Sequence, residues 1–420
     1  MAEEFVIKGQ KPLEGEVEIS GYKNAAGPCL AASLLTDEEV ILDNLPLVED
    51  VLDMVEVLKG MGAKIEWLDK KKIRINGSDI APEKIDPEKV SKTRISSLLI
   101  GALISRFKEF KFFRPGGDRI GLRPITTHLR ALKELGIDVS QKGDFYYFKR
   151  GDLNGKEVVL EEFSVTATEN LMMAAVLSKG KTIIKMAAAE PQVQDLGKML
   201  KSMGARIEGV GTHTIEIEGV KKLSGTTHKI CPDPLEAGTF VIIGSVTPGR
   251  VRIKNVNFNH LDSFLKKMKD IGVRFQKGEN EIIVDYSSSF KPAKVQALPF
   301  PGFPTDLVPI IVPLLTQAEG KSLIHDPLYE NRLGYNQELR RMGADIEIID
   351  PHRAFVFGKT PLYGVKIESW DIRAGASLVV AGLLVSGETI IKNIYQIDRG
   401  YEKIDEKLQK LGADIRRVST

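Results

Sequence analysis

One pattern recurs six times along this chain: an amphipathic segment ends in a Leu/Met/Ile-Gly step, and a short β-type segment follows. The copies read LKGMGAKIEW, LKELGIDVS, LKSMGARIEG, MKDIGVRF, LRRMGADIEI and LQKLGADIRR. Their glycines, spaced 68 to 74 residues apart, are Gly62, Gly136, Gly204, Gly272, Gly343 and Gly412. Glycine directly after an amphipathic helix is typical of a left-handed helix stop, a conformation that a side chain disfavours. Six such stops at one period predict internal duplication.

Each repeat also contains a uniformly apolar helix, which we expect to be buried because it has no polar face. The six segments read AAGPCLAASLL, SSLLIGALI, NLMMAAVL, GTFVIIGSV, LVPIIVPLL and AGASLVVAGLL. The whole unit reads as β-α-β-α-β-β. We therefore predict an α/β fold of two similar domains, each with three repeats around buried helices, and an active site in the interdomain cleft. The first domain is assigned to 22–231, and the second to 1–21 plus 232–420.

The composition argues against a general attraction for nucleic acid or anionic membranes. Lys plus Arg number 59 against 57 Asp plus Glu, so local clusters of basic residues must hold any anionic ligand. Two cysteines are too few for a disulfide framework, the first residues do not resemble a signal peptide, and the apolar stretches are too short to span a membrane. We expect a cytoplasmic protein with small-molecule substrates and no nucleic-acid or membrane partner. The six histidines lack metal-ligand spacing, so we predict neither a metal nor a cofactor.

Charged residues recur where the buried helices are predicted to begin. In chain order they are Lys23 with Asn24, Arg94, Glu169 with Asn170, Glu236, Asp306 and Arg373. The outer, amphipathic helices are predicted to start near Arg123, Arg332 and Arg399. Helix starts favour anions, and Arg can hold a phosphate or carboxylate with two hydrogen bonds. The repetition favours a site for a multiply charged anion over solvated surface cations, with Glu236 and Asp306 as candidate bases. For Asp306, a helix N-cap is an alternative interpretation.

Two further segments have distinctive local patterns. The loop 113–124 combines three glycines with Asp118, Arg119 and Arg123, which indicates a lid that brings charge to a substrate, or else an ordinary exposed turn. Thr166 precedes Glu169 by three residues, which is the spacing of a capping box and predicts a structural role at a helix start.

Eight ordered motifs along the whole chain resemble those of the UDP-N-acetylglucosamine 1-carboxyvinyltransferase family. They are GYKNAA, PGGDRIGLRPI, VTATENLMMAAVLSKG, AAAEPQVQDL, EAGTF, FPGFPTD, RAGASLVVAGL and IDRGYEKIDEKL. The family has two domains of three β-α-β-α-β-β units each and performs the first committed step of peptidoglycan synthesis. The resemblance implies transfer of the enolpyruvyl group of phosphoenolpyruvate to the 3-hydroxyl of UDP-N-acetylglucosamine, with release of phosphate.

The resemblance also implies residue roles. Asp306 would take the hydroxyl proton, and Asp118 would act as the acid at C3 of phosphoenolpyruvate. The cations are expected to bind the anionic groups, with Lys23, Arg123 and Arg399 on the phosphate and Arg94, Arg332 and Arg373 on the remaining charge. Asn24 and Glu330 would line the same cleft, and Ser164, Val165 and Thr166 would hold the phosphates of the nucleotide.

The chain departs from the family pattern at three places. Most members have Cys where this chain has Asp118, which implies insensitivity to fosfomycin because the alkylated thiol is missing. The family's Arg-Pro-Val-Asp is here Arg-Pro-Ile-Thr126, and its Pro-Asp-Arg is Pro-Asp233-Pro234. Both latter changes remove charge near the expected nucleotide end. Two alternatives therefore stay open: transfer to shikimate 3-phosphate, and a non-catalytic paralogue that binds nucleotide sugars.

Overall fold

The computed structural model describes residues 3–117, 120–121 and 124–419. These residues form two compact units. The first unit contains Gly21–Gly117 and Pro124–Cys231. The second unit contains the chain up to Ser20 and from Pro232 onward, together with Ile120 and Gly121. None of the helices in the described ranges is long and apolar enough to cross a membrane.

The elements alternate along the chain in the order that the repeat predicts. The strands are β1 (Glu3–Lys8), β2 (Leu13–Glu18), β3 (Val40–Asp43), β4 (Lys64–Asp69), β5 (Lys72–Asn76), β6 (Glu109–Phe113), β7 (Ile137–Lys142), β8 (Phe145–Arg150), β9 (Glu157–Val159), β10 (Lys181–Lys185), β11 (Arg206–Glu208), β12 (Thr214–Glu218), β13 (Thr226–Lys229), β14 (Gly249–Lys254), β15 (Arg274–Lys277), β16 (Glu281–Asp285), β17 (Lys294–Gln296), β18 (Gly320–His325), β19 (Asp345–Asp350), β20 (Arg353–Gly358), β21 (Lys366–Glu368), β22 (Glu388–Lys392) and β23 (Asp414–Ser419). The α-helices are α1 (Lys23–Ala32), α2 (Glu49–Gly60), α3 (Pro87–Lys92), α4 (Leu99–Arg106), α5 (Thr126–Glu134), α6 (Val165–Ala175), α7 (Pro191–Ser202), α8 (Pro234–Val246), α9 (Asp262–Ile271), α10 (Val308–Leu315), α11 (Asn336–Arg341), α12 (Ile372–Leu384), α13 (Tyr395–Asp398) and α14 (Ile404–Lys410).

Three small sheets belong to each unit. In the first unit their strand orders are β13-β3-β5-β4, β6-β8-β7 and β11-β12-β10-β9. In the second unit they are β21-β22-β1-β23, β15-β16-β14-β2 and β17-β18-β20-β19. The sheet containing β10 is representative: β9 runs parallel to β10 through α6, and β12 is antiparallel to both β10 and β11. This is the predicted β-α-β-α-β-β unit, in which a parallel pair requires a helical crossover.

The uniformly apolar helices are buried, as predicted. In the first unit, α4 contacts both α1 and α6, and in the second unit α8, α10 and α12 contact one another. All 13 residues of α8 and all 8 of α10 are buried. A helix with no polar face is stable only when it is covered on all sides, so each set of inner helices forms the centre of its unit.

The six repeat glycines adopt the predicted left-handed conformation. Their φ angles lie between +89° and +104°. After α9, for example, Gly272 closes the helix by donating from its N–H to the carbonyls of Lys269 and Met268. The stop turns the chain into the following strand, which is why a strand begins two residues after five of these glycines and one residue after Gly136.

One repeat departs from the pattern, since the sheet β6-β8-β7 has only three strands. The segment ahead of its inner helix forms a 3-10 turn over Pro82–Lys84 and then α3. Pro82 and Pro87 cannot donate a ladder hydrogen bond, and the side chain of Asp86 accepts from the N–H of Glu88 at 2.9 Å to cap α3. Helix initiation therefore replaces the first strand there.

Candidate functional site

Asp306 lies between two arginines in the second unit. Its Oδ1 forms an ion pair with Nη2 of Arg332, and its Oδ2 lies 3.2 Å from Nε of Arg373. The side chains of Arg332 and Arg373 are 1% and 4% exposed, whereas that of Asp306 is 27% exposed. The two cations are therefore buried behind a carboxylate that reaches solvent.

The helix-cap interpretation of Asp306 is wrong. The residue lies inside a 3-10 turn, Thr305–Leu307, that precedes α10. Pro304 occupies the N-cap position of the turn and Leu307 that of α10, and neither makes a side-chain cap hydrogen bond. The carboxylate of Asp306 is instead directed to the two guanidinium groups.

A second carboxylate, that of Asp326, lies close enough to Arg332 to act on it electrostatically. Asp326 accepts from the hydroxyl of Thr305 at 2.5 Å and from the N–H of Leu328 at 3.0 Å. Burial raises the pKa of Asp326, while the bond from Thr305 and the charge of Arg332 oppose that rise. Burial lowers the pKa of Arg332, but the nearby carboxylates, led by Asp306, outweigh it, so the pKa lies above its usual value. Arg332 consequently stays a cation although it is buried.

Arg373 is the second residue of α12, close to the predicted helix start. Asp371 caps this helix by accepting from the N–H groups of Arg373 and Ala374 at 2.8 and 2.9 Å. The guanidinium lies 5.3 Å from the ring centroid of the buried Tyr401, whose hydroxyl is 2.9 Å from that of Thr239. Sequence reasoning missed Asp371 and Tyr401, although an Asp two residues before a helical Arg is a recognisable N-cap signal.

Glu236, the other candidate base, is engaged in structural contacts. Its carboxylate accepts from Nζ of Lys407 at 2.5 Å and from the N–H of Ser20 at 2.7 Å. Asp233 caps the same helix, α8, and Pro234 occupies the first helical position, where proline is well tolerated. Burial raises the pKa of Asp233 to about 7, although Arg373 lowers it. The segment Pro-Asp233-Pro234, where this chain departs from the family pattern, therefore forms the start of α8.

Glu330 and Arg399, also in the second unit, lie in different surroundings. Glu330 is exposed, and its Oε2 lies where a Cβ on Gly121 would come within 2.2 Å of it, so the carboxylate lies directly beside this glycine. Arg399 is buried immediately after α13, and its guanidinium donates to Oε1 of Gln396 at 2.9 Å. Arg417 holds the preceding Asp398 through two bonds of 2.8 Å, which anchors this short helix.

In the first unit, Lys23 and Asn24 open α1 as predicted. Nζ of Lys23 donates to Oδ2 of the buried Asp50 at 2.8 Å, and the amide of Asn24 donates to the hydroxyl of Tyr22 at 3.2 Å. Asp50, on α2, was missed because its sequence neighbours indicate only the first turn of an amphipathic helix. It compensates the charge of a buried ammonium group.

A second cluster in the first unit joins α5 to the start of α6. Nε2 of His128 lies 2.6 Å from the hydroxyl of Thr166, and Arg94 donates to the carbonyl of Pro124 at 3.2 Å. Burial, and then the charge of Arg94, lower the pKa of His128 to about 3, so the imidazole is neutral at physiological pH. Ser164 caps α6 by accepting from the N–H of Ala167 at 3.4 Å, and Ser164, Val165 and Thr166 are all half-buried.

Two expectations about α6 are wrong. The helix begins at Val165, so Thr166 is not its cap, and Glu169 with Asn170 lie in its second turn. Asn170 accepts from the N–H of Gly101 at 2.7 Å and donates to the carbonyl of Ser97 at 3.2 Å, which ties α6 to the helix segment containing α4. Burial raises the pKa of Glu169 strongly, with a further contribution from Glu190.

The predicted roles of Asp118 and Arg123 fall on residues outside the described ranges.

Comparison with known proteins shows which families and proteins this chain resembles. Residues 7–408 match the family model described as EPSP synthase (3-phosphoshikimate 1-carboxyvinyltransferase). The chain is 43% identical over 419 residues to the UDP-N-acetylglucosamine 1-carboxyvinyltransferase of Koribacter versatilis, covering 99% of this chain and 96% of that one. The chain belongs to the enolpyruvyl (1-carboxyvinyl) transferase family. A further relative is UDP-N-acetylglucosamine 1-carboxyvinyltransferase 2 of Clostridium tetani, at 42% identity with 99% of each chain covered.

Solved enolpyruvyl transferases share the fold. The enolpyruvyl transferase NikO from Streptomyces tendae matches with a TM-score of 0.91 at 24% identity, covering 100% of this chain and 99% of that one. An EPSP synthase from Acinetobacter baumannii matches with a TM-score of 0.74 at 20% identity over the whole of both chains. The predicted fold class is confirmed.

Proposed function

We propose that this chain transfers the enolpyruvyl group of phosphoenolpyruvate to the 3-hydroxyl of UDP-N-acetylglucosamine and releases phosphate. The observation that carries the proposal is the carboxylate of Asp306 held against two buried guanidinium groups. A carboxylate can accept the hydroxyl proton, and arginine suits the phosphate and carboxylate of phosphoenolpyruvate. The names of the relatives that are 42–43% identical over nearly the whole chain support this acceptor.

The reaction proceeds by addition and then elimination. In the addition, the sugar oxygen bonds to C2 of phosphoenolpyruvate, Asp306 takes the hydroxyl proton, and an acid protonates C3. In the elimination, the bond from C2 to the phosphate oxygen breaks and a proton leaves C3, which yields the enol ether and phosphate. We assign the acid at C3 to Asp118.

Substrate binding activates the base. Arg332 and Arg373 are ion-paired with Asp306, and an incoming phosphate or carboxylate competes for the same guanidinium groups. A substrate anion that shares these guanidinium groups neutralises part of the positive charge acting on Asp306, which makes the carboxylate a better proton acceptor. The two buried cations need little rearrangement, so they also stabilise the charge that grows during addition.

The remaining residues bind the two substrates. Lys23, Arg123 and Arg399 hold the phosphate of phosphoenolpyruvate, and Arg94 neutralises remaining negative charge. Asn24 and Glu330 line the substrate site. Ser164, Val165 and Thr166 hold the nucleotide phosphates at the start of α6, where free N–H groups favour anions. The proposal includes a cytoplasmic location, the first committed step of peptidoglycan synthesis, and no nucleic-acid or membrane partner.

A phosphate-release assay tests the proposal. The full chain is incubated with phosphoenolpyruvate and either UDP-N-acetylglucosamine or shikimate 3-phosphate. Release is expected only with UDP-N-acetylglucosamine. Release only with shikimate 3-phosphate would overturn the acceptor, and release with neither would favour the non-catalytic paralogue, an alternative that the naming of the relatives does not favour.

A further inference from the structure

Three potential metal ligands that are not assigned to substrates meet inside the first unit. They are Cys29 on α1, Asp195 on α7 and His228 on β13. The thiol sulfur, a carboxylate oxygen and an imidazole nitrogen all lie within 4.8 Å of one another. Because the three residues come from distant parts of the chain, no ligand spacing is visible in the sequence.

We propose that Cys29, Asp195 and His228 bind one divalent transition-metal ion, with zinc as the best match. Zinc combines thiolate, imidazole and carboxylate ligands, and accepts water as a fourth ligand when the protein supplies three. The inference is independent of the proposed function, because none of these three residues is assigned to substrate binding or to chemistry.

The distances suit such a site. Oδ2 of Asp195 and Nε2 of His228 are 3.2 Å apart. Ligand atoms at about 2.0–2.1 Å from a tetrahedral zinc ion lie about 3.4 Å from one another. The distance between the oxygen of Asp195 and the nitrogen of His228 is therefore already close to the required one. A thiolate belongs about 3.6 Å from the other two ligands. The upper limit of 4.8 Å exceeds this separation by about 1.2 Å, so a small shift of Sγ of Cys29 completes the geometry.

The charges also suit a divalent ion. Cys29 and Asp195 are buried, and the side chain of His228 is 11% exposed. The group therefore reaches solvent on the side of His228. A divalent ion bound by one thiolate, one carboxylate and one imidazole forms a site with no net charge, which is the kind of charge compensation that a buried ion requires.

The surroundings already orient the carboxylate. The N–H of Cys231 donates to Oδ2 of Asp195 at 3.2 Å, and the carbonyl of Cys231 accepts from the N–H of Tyr22 at 2.8 Å. Hydrogen bonds of this kind orient the ligands in established metal sites. Tyr22 is the N-cap residue of α1, so these bonds also connect Cys231 to that helix. Because the three ligands lie on α1, α7 and β13, a bound ion would cross-link these three elements.

The competing interpretation is a metal-free core, in which Cys29 is a small buried apolar residue and Asp195 and His228 form a hydrogen-bonded pair. Spectroscopy with cobalt separates the two. The untagged full chain is stripped with a chelator, titrated with Co²⁺, and then with Zn²⁺. We expect a thiolate-to-cobalt charge-transfer band that saturates at about one ion per chain and disappears when zinc displaces cobalt.

Two variants and one chemical measurement decide the outcome. Cys29→Ser should abolish the charge-transfer band and weaken zinc binding by at least about tenfold, whereas the control Cys231→Ser should keep both. Native mass spectrometry of the unmodified chain after zinc loading should also show about one tightly held zinc ion, a readout that does not depend on how any variant folds. Absence of the band, its persistence in Cys29→Ser, its loss only in Cys231→Ser, or no retained zinc in the unmodified chain would each overturn the proposal.

Discussion

Replacing Asp306 by Asn removes the charge between Arg332 and Arg373 while almost preserving the shape of the side chain. If Asp306 is the base, kcat should fall by a factor of about 10² to 10⁴, which is the usual contribution of a positioned general base. KM for phosphoenolpyruvate should not rise, because both guanidinium groups are retained and no longer compete for an internal carboxylate.

The expected loss of stability follows from the burial of the three groups. Removing one partner of a fully buried ion pair costs about 3–5 kcal/mol, because a buried charge is left uncompensated. Here the carboxylate is 27% exposed, and Arg332 still lies near Asp371 and Asp326, so we expect about 1–3 kcal/mol. The second unit should therefore melt several degrees lower but remain folded.

The measurements are steady-state phosphate release, calorimetric binding of UDP-N-acetylglucosamine and differential scanning calorimetry. Asp326→Asn is the matched control: it removes a carboxylate near Arg332 without touching the proposed base, and kcat should fall less than about tenfold. If Asp306→Asn kept kcat within about tenfold while melting lower, Asp306 would be a structural counter-ion and the proposed mechanism would be refuted.

Three further predictions concern the lid, pH and the helix stops. Fosfomycin should leave the chain active, and Asp118→Cys should make it susceptible to covalent inactivation, measured by residual activity and intact mass. Asp233 has a pKa near 7 when folded against about 3.9 when unfolded, so its stabilising contribution is complete below about pH 4 and is lost as pH rises through 7. Asp233→Asn, which keeps the helix cap, should remove this pH dependence, which amounts to up to about 4 kcal/mol of unfolding free energy and is followed through the melting temperature between pH 4 and 8. Gly204→Ala should cost about 1 kcal/mol, because φ is +98° while nothing lies within 4 Å of the new methyl group.

Each of these predictions has its own control or contrary result. Inactivation of the unmodified chain by fosfomycin would contradict the assignment of Asp118. A melting profile of Asp233→Asn parallel to that of the unmodified chain would show that Asp233 does not titrate as described. Gly60→Ala, at the last residue of α2, also has open space around the new methyl group but no positive φ, so it should be neutral or slightly stabilising. Equal losses of stability for Gly204→Ala and Gly60→Ala would show that the positive φ at Gly204 is not the cause of the loss.

Much of the fold was predictable because its signals are local. A left-handed glycine after an amphipathic helix and a helix without a polar face depend only on neighbouring residues, and both are found where they were predicted. The predicted starts of α1 and α12 also agree with the structure. The error at α6 has a local cause as well: Ser164 and Thr166 are both good caps, and the capping-box spacing of Thr166 to Glu169 favoured the wrong one.

The sequence by itself determined the number of repeats, the buried helices and the residue types able to bind an anion. Only the tertiary structure decided which of these residues act on one another. Asp306 and Glu236 look alike in sequence, yet one faces Arg332 and Arg373 while the other is held by Lys407 and Ser20. Likewise, Cys29, Asp195 and His228 form a group only because three distant elements pack together. Periodicity and backbone conformation are short-range properties, whereas electrostatic partners are set by packing between segments far apart in the chain.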